Sequence, residues 1–86
     1  MKKGTVVRSK AGHDKGSFFA VVSVCGGFAF LTDGKSRPLD KLKKKNIIHL
    51  AVTHTVLDER VMESDSEIRR ILAGFNGRVR TFKEVM

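Results

Sequence analysis

Eighty-six residues, 41% of them hydrophobic and 30% charged, make one globular domain with room for a short appendage, and exclude a disordered chain or a large multi-layered enzyme. The formal net charge is +8, and it is unevenly spread. Residues 1–45 hold eleven basic and three acidic side chains, whereas residues 46–86 hold six of each, so the first half carries the whole excess and is expected to face a polyanion. No stretch approaches the roughly 20 apolar residues of a membrane span, the N-terminus does not read as a signal peptide, and the single Cys25 has no partner for an internal disulfide. These features together predict a cytoplasmic protein in a reducing compartment, with no membrane association.

In chain order, Thr5 to Ser9 is the first predicted strand, closed by a turn-rich segment from Ala11 to Gly16. The longest β-rich run follows, from Ser17 to Val24. Its alternate residues Phe18, Ala20, Val22 and Val24 are apolar, which predicts that this set points inward and that Phe19 and Val21 point outward. Cys25-Gly26-Gly27 is a hairpin signal before a third strand over Phe28 to Thr32, and Asp33-Gly34 is a second tight turn. Arg37-Pro38-Leu39 is expected to be a short edge strand. A lysine-rich loop then leads into a fifth strand over Ile47 to Val52. Five short strands without room for a helical crossover indicate an antiparallel meander, and closing it into a small barrel would remove its open edges.

The C-terminal part has a different period. Ser64-Asp65-Ser66-Glu67 has capping-box spacing, and Ile68, Ile71, Leu72 and Phe75 follow at i, i+3, i+4 and i+7. This predicts a short helix over about 65–74, ended by Gly74 or Gly77, with fraying over residues 78–86. Such a helix is too short to persist alone in water. Its stripe is expected to dock on the phenylalanines assigned to the outer sheet face, Phe19, Phe28 and Phe30, which otherwise would offer bases a stacking surface.

The residues from Gly4 to Val7, from Ala11 to Gly16 and from Phe18 to Val24 resemble the KOW motif of ribosomal proteins and transcription elongation or antitermination factors, with Gly16 matching its defining glycine. Asp33-Gly34, Arg37-Pro38-Leu39 and Lys43-Lys44-Lys45-Asn46 extend the similarity to the KOW-bearing large-subunit ribosomal proteins and their small bacterial relatives. The resemblance covers residues 4–50. It implies an all-β, SH3-like five-stranded barrel over 1–53 that contacts RNA through its loops, with residues 54–86 as a C-terminal extension outside the motif.

The expected RNA contacts lie in three segments. Lys10, His13, Lys15 and Gly16 flank the first loop, where glycine serves the turn and also lets backbone approach a ligand. Lys35 and Arg37 follow the Asp33-Gly34 turn. Lys41, Lys43, Lys44 and Lys45 form the densest cationic run, in which flexible stems adjust to a phosphate backbone.

No catalytic, cofactor or metal residues are expected. His13, His49 and His54 lack ligand spacing, Cys25 lacks a paired cysteine, and Asp58, Glu59 and Glu63 read as solvated linker charges. The expected function is therefore non-catalytic RNA binding by a monomer, with ribosomal RNA the first candidate partner and ribosomal or transcription proteins as further ones. The competing reading is a protein-interaction module acting on the translation or transcription machinery, which the absence of Trp and Tyr disfavours, since a proline-peptide groove needs an aromatic lining.

Overall fold

A computed structural model describes the backbone of residues 1–85 and the side chains of residues 1–76. Five strands, β1 (Thr5–Ser9), β2 (Phe18–Cys25), β3 (Phe28–Thr32), β4 (Lys43–Asn46) and β5 (Leu50–Val56), form one antiparallel sheet in the order β4-β3-β2-β1-β5. A C-terminal helix, α1 (Asp65–Val85), follows a 3₁₀ turn at Val61–Glu63.

The sheet is curled but open. Its two edges, β4 and β5, are joined through the single 3₁₀ turn Ile47–His49. Four residue steps from Asn46 to Leu50 reach at most about 14 Å, whereas the outer strands of a flat five-stranded sheet stand about 19 Å apart. The strands must therefore wrap, and a register irregularity between Val21 and Ser23 lets β2 bend. A second irregularity, between Thr5 and Val7, lies in the pairing of β1 with β5.

Both faces of the sheet are covered, which corrects the expected inside and outside. Val7, Phe19, Val21, Ala29, Leu31 and Leu50 form one buried cluster with Ile47 packed against it. Because Ile47 and Leu50 flank the edge-to-edge connection, this cluster fills the inside of the curl. Val6, Ala20, Leu57, Met62, Ile68 and Leu72 form the other, with Phe18, Val22, Leu39, Ile71 and Phe75 packed on it. Phe19 is thus only 4% exposed and α1 docks on the opposite face, that of Phe18, Ala20 and Val22. Alternation could not separate the two faces, because both are apolar. Val24, assigned inward, lies beyond the irregularity and is exposed.

Other boundaries also move. Arg37-Pro38-Leu39 is part of a loop rather than a strand, and the fourth strand is instead Lys43–Asn46, the run expected as a loop. The fifth begins at Leu50 and continues to Val56, so the sheet runs past residue 53. The helix is 21 residues long and passes through Gly74 and Gly77 instead of ending there; the sheet supports its apolar stripe from Ile68 to Phe75. Its N-terminus follows the expected capping pattern in part. Ser64 Oγ accepts the Glu67 N–H at 3.3 Å and Ser64 O accepts the Ile68 N–H at 3.0 Å, but the Glu67 carboxylate pairs forward with Arg70 at 2.7 Å rather than closing the box. The side chains of residues 78–86, over which fraying is expected, lie outside the described residues.

Candidate nucleic-acid interface

The β1–β2 loop is organised around one carboxylate. Gly16, at φ +91°, donates its N–H to Ser9 O at 2.8 Å, and Ser17 N–H reaches Asp14 O at 2.9 Å. The tight turn aims the Asp14 side chain at the edge strand β4. Lys45 Nζ donates to Asp14 Oδ1 at 2.8 Å and to Ala11 O at 2.7 Å. Lys43 Nζ stands 3.2 Å from Asp14 Oδ2, and the Ser9 hydroxyl reaches Oδ1 at 2.8 Å. Burial alone would raise the Asp14 pKa. The hydrogen bonds from Lys45 and Ser9, with the positive charge of Lys43 beside Oδ2, outweigh it and hold the carboxyl well below the ordinary carboxylate range.

This arrangement divides the lysine run. Residues alternate along β4, so Lys43 and Lys45 share a face toward Asp14 while Lys44 points the other way. The side chains of Lys43 and Lys45 are 26% and 11% exposed; they staple the first loop to the sheet edge and are not the freely adjusting loop lysines expected. Lys44 is exposed, with Nζ 4.4 Å from the centre of the Phe28 ring, a cation–π distance. Phe28 and Phe30 are half-buried and belong to neither apolar cluster.

The β3–β4 connection is held differently. Asp33 Oδ1 accepts the N–H groups of Lys35 and Arg37, both at 2.8 Å. The Arg37 carbonyl accepts Asp33 N–H at 3.0 Å and the Thr32 hydroxyl at 2.7 Å. The Arg37 backbone is therefore fixed while its side chain is exposed. The loop also abuts the helix. Leu39 N–H donates to Asp65 Oδ1 at 2.8 Å, and Gly34, at φ +74°, lies so close to α1 that an added Cβ would run into the Asp65 carbonyl and stand 2.8 Å from Arg69 N.

Between these two loops lies an open, mainly polar cleft of about 420 Å³, lined by His13, Asp14 and Ser17 of the first, Asp33, Ser36 and Arg37 of the second, the start of β2, Lys43 and the helix residue Asn76. Of the ten expected RNA-contacting positions, His13, Arg37 and Lys43 meet here. Lys10, Lys15, Gly16, Lys35, Lys41 and Lys44 are exposed outside it, and Lys45 is spent on Asp14. Ser17, Ser36 and Asn76 were not expected. Asn76 is 58 residues from the strand it meets, accepting Phe18 N–H at 3.4 Å, and no local signal marks it. Asp14 carried a signal in hindsight, as the lone acid in a basic loop.

Among the described residues, no group of three His, Cys, Asp or Glu side chains is placed to hold a metal, Cys25 is a free, exposed thiol, and no helix is long and apolar enough to cross a membrane. No protein-family model matches the chain, and no curated protein matches it.

Proposed function

We propose that the protein is a non-catalytic, cytoplasmic RNA-binding module, that its curled sheet is an SH3-like barrel of the KOW type, and that ribosomal RNA is its partner. One observation carries this reading. Nine of the eleven basic side chains in residues 1–45 are exposed, while of the three acids only Asp40 is; Asp14 is consumed by two lysines and Asp33 by its own turn. Folding thus sharpens the basic excess of the sequence at the surface. Exposed lysines and arginines release counterions when they meet phosphates, and this gives affinity without any reaction chemistry.

Protein binding draws on a separate feature. The edge strand β5 exposes Val52 and Val56, beside Ile48 of the preceding turn, and an edge of this kind accepts an added strand. It lies apart from the cleft between the two loops, so RNA and a protein partner need not compete.

Cross-linking the protein in cells and sequencing the attached RNA tests the main reading. Enrichment of ribosomal RNA at a few discrete sites is expected. Recovery of no RNA above a mock sample would reject it.

A further inference from the structure

The cleft between the two loops differs from the rest of the basic surface, because its polar groups are carried on tied backbone around one cavity. Lys43 is held beside Asp14 by an ion pair at 3.2 Å that is not aligned as a hydrogen bond, so its N–H groups stay available to a ligand. The Arg37 backbone is pinned on both its N–H and its carbonyl, so the guanidinium fork swings from a rigid base. Asn76 is oriented by the Phe18 N–H and by its own bond to Leu72 O at 3.1 Å, which leaves one amide hydrogen unspent. Two serine hydroxyls, His13 and the carboxylates of Asp14 and Asp33 complete the polar lining; Asp14 is engaged by Lys45 and Ser9 and Asp33 by the N–H groups of its own turn. Polar side chains gathered on tied backbone around one cavity cost less ordering on binding than lysines scattered over the surface do.

The volume, about 420 Å³, falls in the range of small-molecule sites, and lies far below what a duplex would need to enter. Asp14 is shared between Lys43 and Lys45, and Arg37 has no ion pair among the described residues. Positive charge is therefore left over at this end of the cleft for a phosphate even with Asp33 in the lining, with Arg37 suited to bind it in a fork. The serines and Asn76 suit a sugar or base edge. We propose that the cleft receives one unpaired nucleotide of the bound RNA, its phosphate on Arg37 and Lys43 and its nucleoside between Ser17, Ser36 and Asn76. This rests on the RNA-binding reading and adds to it a structural preference: single-stranded or bulged nucleotides over continuous duplex, since a paired nucleotide must first be unstacked to enter.

The test uses the full chain and amide NMR, with AMP, adenosine and inorganic phosphate as probes, followed by two RNA hairpins that differ by one bulged nucleotide. AMP should shift the amides of His13, Ser17, Ser36, Arg37 and Asn76, and adenosine should bind at least about tenfold more weakly, because it lacks the charge-assisted contacts. The bulged hairpin should bind about tenfold tighter than the continuous one. That ratio should fall toward one in Ser36→Trp, which fills the cleft mouth, and in Arg37→Gln, which keeps the backbone turn and removes the charge; a native amide spectrum of each variant establishes its fold. If AMP leaves the cleft amides unmoved, or the ratio is unchanged in both folded variants while RNA still binds, the nucleotide pocket is wrong and the RNA reading stands. If AMP shifts the cleft but neither hairpin binds, the RNA reading fails and with it the assignment of the cleft to an RNA nucleotide.

Discussion

The two loops that frame the cleft have similar compositions and opposite construction. The β1–β2 loop is stapled to β4 by charge, through Asp14 with Lys43 and Lys45. The β3–β4 loop is set by backbone turns and by close approach to α1, through Gly34 and the Leu39–Asp65 bond. One should yield to acid, the other to bulk. Both hold a basic side chain against the same cavity, so the comparison also separates cations that shape the fold from those available to a ligand.

Bulk in the second loop should cost most. Gly34→Ala combines a left-handed backbone with overlap onto helix backbone that cannot rotate away, and should destabilise by about 3 kcal/mol or more. Calorimetry should show a melting temperature lowered by at least about 12 °C for a domain of this size. A change under about 4 °C would show that the loop moves off the helix without penalty.

Removing the charge from the first loop should cost less. Asp14→Asn leaves Lys43 and Lys45 near each other without their shared anion, at a cost of about 2 kcal/mol, between the values for exposed and fully buried pairs. The pH dependence has a defined sign. The Asp14 pKa is lowered in the folded state, so its contribution is complete above the unfolded carboxylate value of about 4 and is lost as pH falls below it. The parent should therefore lose stability below about pH 4 more steeply than Asp14→Asn in urea titrations across pH. Parallel curves would remove Asp14 from its central position.

Gly16 tests the same loop more gently. It shares the left-handed backbone of Gly34, but nothing lies within 4 Å of the position of an added Cβ, so Gly16→Ala should cost only about 1 kcal/mol of strain. A loss equal to that of Gly34→Ala in parallel melts would mean that backbone conformation, and not contact with α1, distinguishes the two positions.

The smallest effect on folding belongs to Lys44, whose exposed side chain reaches only the Phe28 ring. Lys44→Ala should change stability by under about 0.5 kcal/mol while lowering the salt dependence of RNA binding by about one unit of slope. Replacing Lys43 or Lys45 should instead show in the melting curve. Equal melts for all three variants would contradict the division of the run.

How much of this was legible varies with the range of the interaction. The hairpin at Cys25-Gly26-Gly27, the chain reversal begun at Asp33-Gly34, the five-stranded antiparallel sheet and the Ile68/Ile71/Leu72/Phe75 stripe follow from local turn chemistry and periodicity, and the structure has them, though Asp33-Gly34 opens a long loop to Lys43 instead of a tight connection to the next strand. The facing of β2 was not legible, because alternation identifies a buried side only where the other side is polar, and Phe18 and Phe19 are both covered. The lysine run was read as a loop because lysine is depleted in strands; it forms one because Asp14, thirty residues earlier, neutralises alternate members. The cleft joins segments from three parts of the chain, and Asn76 has no signal beyond its place in the folded molecule.

The claim that the exposed cations of the first half exist to meet RNA is tested most directly by the affinity of the intact chain for an RNA duplex across salt. With about five phosphates engaged, affinity should fall several-hundred-fold between about 50 and 200 mM salt, and substitution of the exposed Lys35, Lys41 and Lys44 by Ala should flatten the slope by about three units without altering the fold. Binding that is undetectable at low salt, or a slope that stays the same when those three lysines are removed, would contradict it.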